Sequence, residues 1–197
     1  MITHQLKTLG LSLALATGLH TTLVQADTYK IDTQGMHTSI QFQVKHLGYS
    51  WLAGRFNSYD GQFTYDPAHP DQSSVTVDID VKSVDTNHAE RDKHLRSPRF
   101  FDTDSFPNAS FKSTKVEVKE NNQALITGDF TLRGITKPVQ INAQLIGMGD
   151  DPWGGYRAGF IGTTTLNLGD YVMQDGGKLG PASQEVQLTL HVEGIRQ

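Results

Sequence analysis

The sequence predicts an all-β fold of about eight antiparallel strands with one short helix. Three observations predict it. Apolar residues alternate with polar ones at a period of two in six segments, the mark of strands with one buried face. The breaks between segments carry turn-forming residues. One stretch drops the alternation for helix-favouring residues.

In chain order, Ile40, Phe42 and Val44 alternate with Gln41, Gln43 and Lys45. The less regular segment Arg55 to Tyr65 follows, then Val75, Val77, Ile79 and Val81, set against Thr76, Asp78 and Asp80. Phe111 to Val118 is again irregular. Ile126, Gly128, Phe130 and Leu132 share one face, as do Val139, Ile141, Ala143 and Leu145. Ala158, Phe160, Gly162, Thr164 and Leu166 come next, and Val186, Leu188, Leu190 and Val192 close the set. Asn121-Asn122 predicts a hairpin. Gly134 to Pro138 predicts a tight link, with Pro138 opening its strand because proline cannot donate inside a ladder. Gly147 to Gly155 and Asn167 to Ser183 read as longer loops.

The helical stretch opens at Asn87-His88-Ala89-Glu90, with Asn87 as N-cap and Glu90 three residues on. Ala89 to Leu95 favours helix, and Ser97-Pro98 stops it. Phe100-Phe101 follow at once. Such a helix can cover one end of a barrel. Pattern alone allows two architectures for the strands, a closed barrel or a two-sheet sandwich.

The N-terminus reads as an export signal. Lys7 supplies a positive start, Leu9 to Leu19 is an apolar run, and Val24-Gln25-Ala26 fits a signal-peptidase site, so cleavage is expected after Ala26. A transmembrane anchor needs roughly 20 apolar residues, more than this run provides. The chain has no cysteine for a lipid anchor or thiol chemistry. The expected mature domain, residues 27–197, carries 16 basic and 21 acidic residues, a net charge of −5. That balance provides no footprint for nucleic acid and no polybasic membrane patch. The expected location is the periplasm of a Gram-negative cell.

Several phrases together resemble the YceI family. They are His37-Thr38-Ser39-Ile40, Val44-Lys45-His46-Leu47-Gly48, Gly54-Arg55-Phe56, the run from Asp85 to Ser97, Phe100-Phe101-Asp102, Phe106-Pro107, the run from Gly128 to Val139, Asp151-Pro152-Trp153-Gly154 and Arg157-Ala158-Gly159-Phe160. Their order spans the expected mature chain. The resemblance implies an extended, eight-stranded, lipocalin-like antiparallel barrel with a helix over one end. It also implies an interior pocket for a long-chain isoprenoid or other amphiphilic lipid, a link to stress response, and homodimers among relatives.

Phe42, Val44, His46, Trp51, Arg55, Phe100, Phe101, Phe130, Ile141, Ala143, Trp153, Arg157, Phe160 and Leu188 are the residues expected to line such a pocket or its mouth. Small residues on the apolar face, Ala143, Ala158 and Gly162, leave room where a solid core would use bulk. Trp51, Phe100, Phe101 and Trp153 fall in or beside connections and suit a rim, or equally ordinary packing under a loop. Arg55 and Arg157 suit a phosphate headgroup, or surface pairs with Asp60 and Asp151. Without the resemblance, the leading reading is that Phe42, Phe130, Ile141, Phe160 and Leu188 fill one another's gaps as a solid core; with it, the pocket is favoured.

Other chemistries have weaker sequence support. Glu90 and His94 are spaced to share a helix face, but two ligands do not close a metal site. No Gly-x-Ser-x-Gly elbow is present. The sequence therefore predicts a binding protein with no catalytic residues, metal or cofactor. An enzyme acting on a prenyl lipid or quinone, and a solid-core stress protein with surface partners, remain as alternatives.

Overall fold

The computed structural model describes residues 26–35, 37–173 and 180–197. The expected signal peptide, Ala26 apart, and the Gly176-Gly177 turn lie outside them. Among the described residues, eleven strands and one α-helix are formed. The strands are β1 (Asp27–Ile31), β2 (Ser39–His46), β3 (Ser50–Phe56), β4 (Tyr59–Tyr65), β5 (Ser74–Asp80), β6 (Val84–Asp85), β7 (Asn108–Val118), β8 (Gln123–Leu132), β9 (Ile135–Asp150), β10 (Tyr156–Asn167) and β11 (Glu185–Arg196). The helix, α1 (Ala89–Arg96), lies between β6 and β7.

These eleven make an eight-stranded wall. β1 and β2 run along the same edge of β11, Tyr29 opposite Arg196 and Val44 opposite Val186, so they are two halves of one interrupted strand. β3 and β4 are likewise halves of the next, pairing with β2 and β1. β5 and β6 form the third. β7, β8, β9, β10 and β11 follow as consecutive antiparallel neighbours. The β1–β11 pairing closes the ring, so the architecture is a closed barrel and not a sandwich.

Each interruption is satisfied locally. Between β5 and β6, Ser83 Oγ donates to the Asp80 carbonyl at 2.6 Å and accepts from the Asn57 and Ser58 amides at 3.1 and 3.0 Å. The sequence-level segment Arg55 to Tyr65 is split at that same place, into the end of β3 and all of β4.

Several local expectations need correction. Pro138 lies inside β9, opposite Asp129, and does not open the strand. It is tolerated because β9 pairs with β10 only from Asn142 onward, so Ile135 to Ile141 has one open edge. Gly147 to Asp150 belong to β9, paired with Tyr156 to Gly159 of β10, and the loop is only 151–155. The N-cap of α1 is His88, whose Nδ1 accepts from the Arg91 amide at 3.2 Å. Asn87 instead turns the chain at φ 58°, a conformation asparagine tolerates. At the other end Ser97 Oγ caps the His94 carbonyl at 2.7 Å. Asn121 and Asn122, at φ 57° and 60°, form the expected hairpin turn.

Gly54 is required by packing. It sits opposite Phe42, and a Cβ there would collide with the Phe42 ring. Gly54→Val should therefore lower the unfolding free energy by about 1–3 kcal/mol. Gly147→Val, where a Cβ meets open space, should change it by less than about 0.5 kcal/mol. Urea titration of both variants checks this contrast.

Candidate functional site

The inward faces of the eight-stranded wall do not meet. They enclose a cavity of about 930 Å³ that runs the length of the barrel. Its middle is hydrocarbon: Phe42 and Val44 from β2, Val77 and Ile79 from β5, Phe111 from β7, Ile126 and Phe130 from β8, Ile141 and Leu145 from β9, Phe160 from β10, and Leu188 and Leu190 from β11. Ala143 and Gly162, paired across β9 and β10, take little of the space. The buried side chains gather in two clusters. One, near α1, includes Ile40, Val81, Phe100, Leu132 and Tyr171. The other, around Tyr29, Ile31, Phe63 and Ala158, packs the opposite end.

At the first end Arg91, His94, Leu95, Arg99, Phe100 and Phe101 reach the cavity. Local polar bonds hold α1 there. The Asp92 carboxylate accepts from the Thr86 amide at 2.9 Å and from its hydroxyl at 2.5 Å. Arg91 donates to the Thr86 hydroxyl and carbonyl at 2.8 and 2.7 Å. The Phe100 ring meets His94 edge-on at 5.1 Å, and Phe101 meets Phe56 at 6.0 Å. At the far end the lining turns polar, with Lys119, Asn121, Asn122 and Gln123.

The wall is breached between β9 and β10. β9 and β10 stop pairing beyond Asn142 and Thr163, although both strands continue. Val139, Thr164, Leu166 and Leu188 line the interior cavity and also an outer recess of about 770 Å³. Tyr171, from the turn after β10, is buried there against Phe130, with ring centroids 5.8 Å apart. Burial pushes its hydroxyl pKa up to about 12.

Ten of the fourteen residues singled out from the sequence line the cavity: Phe42, Val44, His46, Phe100, Phe101, Phe130, Ile141, Ala143, Phe160 and Leu188. The other four do not. Trp51 points outward, its ring 5.3 Å from the Lys45 ammonium. Arg55 lies outside with its guanidinium 3.4 Å from Asp85, while the Asp60 considered for it pairs with Lys30 at 2.8 Å. Trp153 is 77% exposed beside Arg157.

Arg157 lies off the cavity lining and straps three carboxylates together. It donates to Asp151 at 2.7 Å, Asp32 at 2.8 Å and Glu193 at 2.6 Å. Asp32 and Glu193 flank the gap between β1 and β2, so this cluster ties the interruption to β10 and β11. Asp32, His37 and Glu193 offer three ligand atoms within 4.8 Å of one another. The Arg157 guanidinium already donates to two of them, which supplies the positive charge a cation would bring. Sequence reasoning missed Tyr171, Leu95, Arg99 and the Asn121-Asn122 end of the cavity. Spacing shows which face a residue takes but not which loops meet at a barrel's ends.

Comparison with known proteins agrees with this architecture. The YceI-like domain family matches residues 29–194. This chain belongs to that family. A UPF0312 protein of Pseudomonas aeruginosa LESB58 is 58% identical over 193 residues, covering 97% of this chain and 98% of the relative. A UPF0312 protein of Vibrio cholerae is 55% identical over 172 residues, covering 87% and 89%. Among YceI-fold crystal structures, Burkholderia cenocepacia BcnA superposes with a TM-score of 0.73 at 22% identity, covering 83% of this chain and 98% of that one. A polyisoprenoid binding domain from Saccharophagus degradans gives 0.63 at 16% identity, covering 86% and 98%. Both share the fold.

The Arg157 cluster has a pH signature. The Gly35 amide, followed by Arg157 and His37, holds the Asp32 carboxyl at about 2, below its ordinary 3.8, although burial opposes this. A depressed carboxyl contributes stability that is present above about pH 4 and lost as pH falls through 2. The expected loss over that window is about 2 kcal/mol. Asp32→Asn should start less stable at pH 7 and lose less on acidification, as read by thermal melts between pH 2 and 6.

Proposed function

We propose that this protein carries one long apolar chain, of the isoprenoid type or a similar amphiphilic lipid, in the barrel interior, and that it does so in the periplasm. The observation that carries the reading is the cavity of about 930 Å³, long and lined in its middle by hydrocarbon. An eight-stranded barrel is wide enough for a single ligand. One five-carbon unit buried there contributes up to about 4 kcal/mol, at about 0.8 per CH₂. Association opposes this with about 4–15 kcal/mol. Several units in a row are therefore needed for tight binding, which favours a long chain over a compact molecule. The polyisoprenoid binding domain from Saccharophagus degradans, which shares the fold, supports the same ligand class. The export signal read at residues 1–26 supports the location.

The reading is of a carrier and not a catalyst, because the wall offers surface for burial more than groups for bond-making. A role in stress response fits a lipid reserve kept outside the cytoplasm.

Gently purified protein should release one long-chain lipid per chain on organic extraction or in native mass spectrometry. Preparations that repeatedly hold no such lipid, and rebind no polyprenol, would end the proposal. Ala143→Phe, which places a ring in the cavity, should weaken polyprenol binding at least ten-fold with little change in the melting temperature of the empty protein. A ligand at about 100 times its Kd should add about 2.7 kcal/mol of stability, which raises the melting temperature by about 5–10 °C.

A further inference from the structure

The connection between β2 and β3 is Leu47-Gly48-Tyr49, with Leu47 and Gly48 at φ 53° and 84° and the Tyr49 amide donating to the His46 carbonyl at 3.0 Å. Such turns favour Asn-Gly or Asp-Gly, because both positions need the left-handed region. Leucine is strained there. Leucine is also apolar, and it is 48% exposed. Its neighbours share that exposure: Tyr49 is 88% and Trp51 48% exposed. Three of the seven exposed large hydrophobic residues among the described residues thus crowd into five positions. A tip that keeps both strain and bare apolar surface is built for something outside the chain.

Charge indicates the partner. No acidic residue occurs between Asp32 and Asp60. Lys45 stands against the Trp51 ring. Glu185 lies one residue beyond the last β2–β11 pair. Tyrosine and tryptophan beside a lysine suit the headgroup level of a bilayer, where amphipathic rings and cations are both solvated. The size of the tip also argues for a bilayer. These side chains offer on the order of 400 Å², well under the roughly 800 Å² per partner of a stable protein interface. A bilayer has no such threshold. The other face of the same hairpin carries Val44, His46 and Leu52, which line the cavity.

We propose that the β2–β3 tip docks the barrel on an anionic phospholipid surface, which holds the cavity-lining face of the hairpin, Val44, His46 and Leu52, close to the bilayer. Leu47, Tyr49 and Trp51 enter the interface, and Lys45 meets the phosphates. An apolar chain then passes between bilayer and barrel without crossing water. This last step rests on the carrier reading, while the docking does not.

In a Trp153→Phe protein, Trp51 is the only tryptophan. On vesicles of phosphatidylethanolamine and phosphatidylglycerol its emission should shift to the blue and be quenched by brominated acyl chains. Partitioning should be about five-fold weaker on phosphatidylcholine alone, the share one lysine supplies at an anionic surface. Leu47→Asn with Tyr49→Ser should reduce partitioning at least ten-fold while the melting temperature holds or rises, since Asn-Gly suits the turn. Unchanged emission, or equal partitioning of the double variant, overturns the proposal. So does a double variant that loses only self-association in sedimentation, which would make the tip a contact between copies. Protein that releases a long-chain lipid yet ignores vesicles overturns docking alone. Protein that docks yet neither contains nor rebinds a long-chain lipid overturns the carrier reading alone.

Discussion

The backbone hydrogen bonds that join β1 and β2 to β11 turn an open sheet into a ring, and a ring of eight strands has a fixed width. Every inward side chain must then share a cylinder whose diameter it does not choose. Where the inward residue is large, as at Phe42, Phe111 and Phe63, a glycine on a nearby strand makes way: Gly54, Gly128 and Gly194. Elsewhere the inward residue is small, as at Ala143, and lines open space, while at Gly162 the Ile141 and Leu190 side chains move into the place of a Cβ. The cavity follows from closure together with this uneven filling.

Closure has a weak point at Asp32 to Thr38, where the first strand of the ring leaves the ladder. Backbone and side-chain bonds cross the gap instead. The Asp32 amide donates to the Glu193 carbonyl at 2.8 Å, and the Thr38 hydroxyl both donates to and accepts from the Glu193 backbone. Arg157 adds a charged tie from β10 to both sides. Its guanidinium faces three carboxylates at once, and it joins the Gly35 and Gly155 amides in holding the Asp32 and Asp151 carboxyls below their ordinary range. A cation that looks from the sequence like a ligand for phosphate is therefore already engaged by the protein's own anions.

Much of the wall was legible in the sequence, because alternation at a period of two reports directly which face a residue takes. The six regular segments all became strands, and their apolar faces turned inward. β1 was missed because Asp27–Ile31 is too short to show a period. β6 was missed because two residues cannot alternate. The middle of the cavity was legible for the same reason as the wall. Its ends were not. Trp51 and Trp153 look like rim residues by type and position, yet one faces outward from a strand and the other stands in solvent. Tyr171 lies in a glycine-flanked loop with no pattern to mark it, and only the failure of β9 and β10 to pair gives it a place.

That failure has a consequence for how copies of this protein coexist at high concentration. Two strands that separate while still extended expose bare amides and carbonyls, and such edges recruit strands from other molecules. β9 carries Lys137 and Pro138 along its open stretch. One places a charge on the margin, and the other removes a donor from it, so an incoming strand meets both repulsion and an incomplete ladder. Tyr171 borders the same recess. The proline that looked misplaced inside a strand thus acts as a guard against aggregation, and it lets the barrel keep a gap in its side without turning that gap into a seam for fibres.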